Sequence, residues 1–273
     1  MKSRHMNFRE QLDSLDLAVD DPVCLRENAG RLGAFLFPGP GGRADAFADE
    51  VTDLCLKSTG VDFLLVYNTG GFGGAAMADD PEWPTVMSGV REELGGMGYR
   101  SMMVEHVRAE AGFGGFLDEL GDLRHNYARK ARELAAKMAF LAGFNAWLRI
   151  ILTGRCFGGV MCNEVMGLSE SEPRLYSIQA SIPFWYTEPV GPRSLVLPDN
   201  GVMPDMVRRG GVARFLWTLF RANWRRLPSV SPPAEGGFKA VIRYLKAPGH
   251  TYTWDHPGVG PRIVSFLREK FST

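Results

Sequence analysis

Short apolar runs alternate along this chain with Gly-rich turns and longer stretches of helix formers. That alternation is the tightest constraint on the fold. Strands separated by helices of ten or more residues pair in a parallel sheet with helices on both faces, which makes the expected class α/β. Val61–Asn68 (VDFLLVYN) reads as a buried strand followed by TGGFGG, and Pro84–Leu94 as a helix stopped by GGMG. Tyr99–Val107 is the next strand, and Leu117–Asn145, dense in Ala, Leu, Lys, Arg and Glu, one long helix. Trp147–Thr153, Leu175–Ser181 and Lys239–Leu245 are further strands, and Val160–Leu168 and Pro261–Phe271 further helices. Gly33–Phe37, with its PGPGG turn, is expected to add an early strand.

With 273 residues, 45% of them hydrophobic and 11% aromatic, the chain can bury a large core, which excludes a disordered coil. Lys+Arg and Asp+Glu both number 31, so there is no basic field to hold a phosphate backbone, and nucleic acid is not an expected partner. The uncharged run Phe63–Ala78 is 16 residues long and ends in glycines, too short and too Gly-rich for a transmembrane segment. The first residues lack an apolar stretch of signal-peptide length. Four cysteines without a CxxC pair suit a reduced cytoplasmic setting better than a disulfide framework. His5, His106, His125, His250 and His256 show no metal-ligand spacing, so neither a metal nor another cofactor is expected. The turn-rich Pro228–Gly237 is too short to separate domains. Residues 1–273 are therefore read as a single domain with an irregular, lid-like excursion at about 188–236.

The most informative stretch is Ile150–Gly159, IILTGRCFGG. A β-rich run meets Gly-x-Cys-x-Gly and then a helix. A turn that sharp forces the central residue into a strained conformation, which Gly154 and Gly158 leave room for. The side chain of Cys156 would project beside a helix N-terminus, whose partial positive charge favours a thiolate and a developing oxyanion. If catalytic, Cys156 is expected to react below pH 7 and faster than Cys24, Cys55 or Cys162, and uniform slow labelling would count against that role.

This segment resembles the nucleophile elbow of the α/β-hydrolase superfamily. With Cys in place of the usual Ser and a double glycine behind it, it is most similar to dienelactone hydrolase and its relatives. The resemblance implies an α/β-hydrolase-like fold and a Cys-His(-Asp) mechanism acting on an ester, lactone or thioester. It implies His250 as the base, in the late Pro-Gly-His before the C-terminal helix, with His256 the lesser candidate. The oxyanion hole would combine the N–H of Phe157 with one from the Asn68–Gly74 loop, for which Gly71 is the choice. For the acid, Asp199 follows a strand-like LVLP run. Ser181 and Leu195 are too close for a helical crossover, however, so Asp205, Glu188 and Asp255 stay open.

Phe184, Trp185, Tyr186, Phe215 and Trp217 suggest a small acyl or aromatic substrate. Val212–Leu227 is amphipathic, with Leu216, Phe220, Trp224 and Leu227 on one side and Arg214, Arg221 and Arg225 opposite. It packs on the domain, covers an acyl cleft or makes peripheral membrane contact. Two other functions remain open: acyl transfer through the same Cys, and a non-catalytic binding or scaffold protein that keeps only the elbow's shape. Sequence leaves the oligomeric state undetermined.

Overall fold

The computed structural model describes residues 8–15, 17, 21–70, 76–108, 119, 121–122, 125, 127–186, 191–209 and 249–272. Five strands form one sheet: β1 (Phe63–Asn68), β2 (Ser101–His106), β3 (Arg149–Arg155), β4 (Leu175–Ala180) and β5 (Ser194–Leu197). Their spatial order is β2-β1-β3-β4-β5, and every pairing is parallel. This is the α/β architecture expected from the alternation.

Side chains alternate across each strand and so feed two cores. Leu64, Val66, Ile150 and Leu152 face a layer built by α1 (Phe8–Asp13), α2 (Pro22–Leu36), α3 (Arg43–Lys57), α5 (Ala128–Phe144) and α6 (Phe157–Leu168). Phe63, Leu65, Tyr67 and Ile151 face α4 (Trp83–Gly96) and α8 (Gly260–Phe271) on the other side. Each fully buried Leu, Ile or Val contributes about 1.5–3 kcal/mol through removal of apolar surface from water. The sheet is thus held from both faces, and its carboxyl ends are left to build a site.

Two expectations are corrected and one open question is decided. Gly33–Phe37 is not a strand but the end of α2. Asp21 caps that helix by accepting from the Val23 N–H at 3.2 Å, Pro22 opens it, and Leu25, Ala29 and Leu32 are buried at helical spacing. The long helix expected over Leu117–Asn145 is interrupted, because Tyr127 takes a left-handed backbone (φ 58°) and α5 starts only at Ala128. The strand-like LVLP run is a parallel strand, so it is the connection before it that, over its described residues, lacks the usual helical crossover. β5 pairs with β4 from Ser177↔Ser194 to Ala180↔Leu197, and the described part of the 181–193 connection contains no helix.

Of the excursion at about 188–236, residues 191–209 are described and hold β5 and the short α7 (Met206–Arg209). The amphipathic Val212–Leu227 and the late strand Lys239–Leu245 lie outside the described residues. Among the described residues no helix is long and apolar enough to cross a membrane. Nor does any group of three or more His, Cys, Asp or Glu among them have an arrangement that holds a metal ion.

Candidate active site

β3 ends at Arg155, α6 begins at Phe157, and Cys156 alone makes the turn between them with φ 53° and ψ −122°. A non-Gly residue held there costs about 1–3 kcal/mol and persists only where its surroundings over-determine it. Here they do. The Cys156 N–H donates to the Ala180 carbonyl at 2.9 Å, and the Cys156 carbonyl accepts from Val160 at 3.1 Å. Small neighbours are compulsory. A Cβ on Gly154 would sit 2.6 Å from the Gly158 carbonyl carbon, and one on Gly158 would sit 2.5 Å from the Asn68 carbonyl oxygen. The same point lies 2.9 Å from the Thr69 carbonyl oxygen, so the end of β1 and the residue after it lie against the elbow.

The thiol is 7% exposed, and burial pushes its pKa up to about 11. The Phe157 N–H and the charges of Arg155 and Arg108 offset only part of that penalty. A shift in that direction favours the protonated thiol at neutral pH, against the expectation that a catalytic Cys156 reacts below pH 7. The Phe157 N–H at the helix start returns less than desolvating a charged sulfur costs.

The imidazole of His250 is buried, and its Nδ1 edge is engaged twice, by Ser181 Oγ at 2.7 Å and by Asp205 Oδ2 at 3.3 Å. Asp205 is fully buried. Its Oδ1 accepts from the Val207 N–H at 2.8 Å, and its Oδ2 accepts from the Tyr252 hydroxyl, also at 2.8 Å. Burial alone would raise its carboxyl, but its hydrogen bond with His250, with further bonds from Ser181 and Tyr252, outweighs burial and holds it below the usual carboxylate range. Tyr252, raised strongly by burial and by the Asp205 charge, stays a donor. Gly249 (φ 75°) lets the two segments meet, since a Cβ there would collide with the Pro204 carbonyl.

Other candidates fall elsewhere. Asp199 accepts from Gly201 N–H within its own turn at 3.1 Å, so the carboxylate on the His250 ring is Asp205. Asp255 is exposed, and Glu188 lies outside the described residues. His256 Nδ1 contacts the Thr253 backbone N–H and hydroxyl, both at 3.0 Å. Phe157 N–H is at the elbow as expected, whereas Gly71 lies outside the described residues. Among the described residues no hydrogen bond joins the Cys156 sulfur to the His250 ring. Catalytic contacts of this kind are often loose before substrate binds.

Sequence reasoning missed Ser181, Tyr252 and an ionic clamp. Arg155, buried beside Cys156, pairs with Asp80 at 3.1 Å and Glu82 at 2.6 Å. The same Glu82 Oε2 accepts the Tyr252 N–H at 3.0 Å, tying the histidine segment to the elbow. Only Arg155, next to the Cys, carried any local signal. Phe157 also contacts Trp185, with ring centroids 6.3 Å apart, and Trp185 contacts Phe184 at 4.8 Å. Trp185 is 44% exposed, an aromatic shelf beside the elbow. Phe215 and Trp217 lie outside the described residues.

No family model matches the chain. No curated protein matches it either. Among solved structures it is similar to a Trichoderma reesei cutinase in complex with a C11Y4 phosphonate inhibitor. The TM-score is 0.43 and the identity 14%, over 89% of this chain and 99% of that one. An overlap that loose carries no weight for activity, which must be argued from the geometry.

Proposed function

We propose that this protein is a hydrolase of esters or thioesters that uses Cys156 as nucleophile, His250 as general base and Asp205 as the acid that orients it. One observation carries the proposal. A cysteine strained at a strand-to-helix elbow shares the carboxyl end of a parallel sheet with a buried His–Asp pair from remote segments. Structural cysteines need none of this apparatus.

In the proposed reaction the sulfur attacks the acyl carbon while its proton passes to Nε2 of His250. The carbonyl oxygen becomes the oxyanion, with the Phe157 N–H as one donor and the loop containing Gly71 as the assigned source of the other. Collapse expels the alcohol or thiol, which takes the proton from His250. Water then attacks the thioester, giving its proton to His250, and Cys156 leaves as the thiol. A neutral resting thiol makes His250 indispensable, as in a serine hydrolase.

The aromatic shelf of Phe157, Trp185 and Phe184 supports an apolar acyl or aromatic substrate. The cysteine nucleophile supports the dienelactone hydrolase-like type, and four cysteines with no disulfide among the described residues suit a reducing, cytoplasmic setting. If water is excluded after acylation, the same first half-reaction serves acyl transfer. A specific observation also favours the scaffold alternative: the thiol is buried, its pKa is pushed up by that burial, and no hydrogen bond joins it to the imidazole among the described residues.

Short-chain p-nitrophenyl esters and acyl-CoA thioesters, assayed with Cys156→Ala alongside, separate these readings. Hydrolysis that falls at least about 100-fold in the variant is the expected result. Turnover unaffected by the substitution removes Cys156 from the mechanism, and no turnover of any substrate favours the scaffold.

A further inference from the structure

We propose that Ser181 is a positioning residue for His250, fixing the imidazole as the tautomer that carries its proton on Nδ1. This deepens the proposed function and rests on His250 being its base.

Two described residues at the carboxyl ends of adjacent strands have left-handed backbones, Cys156 (φ 53°) and Ser181 (φ 54°). They are neighbours by register. Arg155 pairs with Ala180, so the next residue of each strand is the strained one, and the Cys156 N–H bonds the Ala180 carbonyl between them at 2.9 Å. Strain at Cys156 is explained by the elbow. Strain at Ser181 has no elbow to explain it, because no helix starts there. What the conformation does is bring a fully buried hydroxyl to 2.7 Å from Nδ1, closer than the 3.3 Å of the Asp205 carboxylate. A hydroxyl can accept and donate at once. If Ser181 accepts the Nδ1 proton, its own hydroxyl proton is left for Asp205, the carboxylate on the same ring edge, which has only acceptor capacity. Tyr252 donates to the same carboxylate at 2.8 Å. With donors supplied from Ser181 and Tyr252, Asp205 remains ionised, and the proton on the imidazole has one favourable place, Nδ1. Nε2 is then left with its lone pair, the form a general base requires.

The test is made on the full chain labelled with ¹⁵N. His250 is assigned by comparison with His250→Gln, and its tautomer is read from the ring nitrogen shifts. Ser181→Ala removes the hydroxyl and keeps the strain; Ser181→Gly removes both, since glycine adopts positive φ freely. The wild type is expected to show a single Nδ1–H tautomer, and both variants a mixture of Nδ1–H and Nε2–H. Toward p-nitrophenyl acetate kcat is expected to fall about 10–100-fold in both, with KM little changed. Ser181→Gly is expected to melt no lower than the wild type, so the loss cannot be assigned to unfolding. A single Nδ1–H tautomer retained in both variants overturns the proposal, as does unchanged kcat in an active enzyme. If the wild type hydrolyses nothing, the hydrolase proposal fails while the tautomer comparison still decides the role of Ser181.

Discussion

Cys156 holds its proton at neutral pH because a buried sulfur pays more for losing water than the Phe157 N–H and two arginines return. The sign of the linkage follows. An unfolded thiol titrates near 8.5, so above that pH the native state binds more protons than the unfolded one, and stability falls as pH rises toward the folded value. Buried Cys55 and Cys162, each pushed to about 12, act in the same direction. Iodoacetamide at pH 7 is therefore expected to label half-exposed Cys24 first and Cys156 slowly, with the Cys156 rate climbing about tenfold per pH unit up to about pH 10. Peptide mass mapping across pH reads this directly, and fast labelling of Cys156 below pH 7 contradicts it. The residue type was legible in the sequence, because Gly-x-Cys-x-Gly between strand and helix has few other uses. Its ionisation was not, because desolvation depends on what the rest of the chain packs over the sulfur.

The elbow works because β1, β3 and α6 approach more closely than side chains allow. Gly158 faces the carbonyl oxygens of Asn68 and Thr69, which belong to β1 and its exit loop and cannot swing aside as a side-chain tip could. Gly158→Ala is expected to cost about 1–3 kcal/mol in chemical denaturation, since the added methyl must push β1 from α6. A change within a few tenths of a kcal/mol would show that the packing is looser than described. The elements themselves were largely readable. β1, β3 and β4 fall within two residues of the runs that named them, because fully buried strands are simply apolar. The misreadings have local causes. GAFLF at the end of α2 is as apolar as a strand, and only the Asp21-Pro22 start and the helical spacing behind it show that it continues a helix. Nothing in the helix formers around Tyr127 announces a left-handed residue.

Across the molecule, the candidate site joins segments far apart in sequence. Arg155 and Cys156 come from the middle of the chain, Asp80 and Glu82 from before α4, Ser181 from after β4, Asp205 from after β5, and His250 and Tyr252 from the segment before α8. Local patterns marked the elbow and the late histidine, each of which carries its own glycine signal. Which of four carboxylates meets the histidine was set by tertiary packing. Asp205 reaches it because Gly249 lies against Pro204, a contact between residues separated by more than 40 positions that no local pattern encodes. The proposed mechanism requires that Cys156 become acylated. Rapid mixing with p-nitrophenyl acetate followed by intact-mass and peptide analysis tests this directly. A burst of one p-nitrophenolate per chain with an acetyl thioester on the Cys156 peptide is expected, and neither in Cys156→Ala. Ester turnover without any acyl group on Cys156, or an acyl group found on another side chain with kinetics matching turnover, would contradict it.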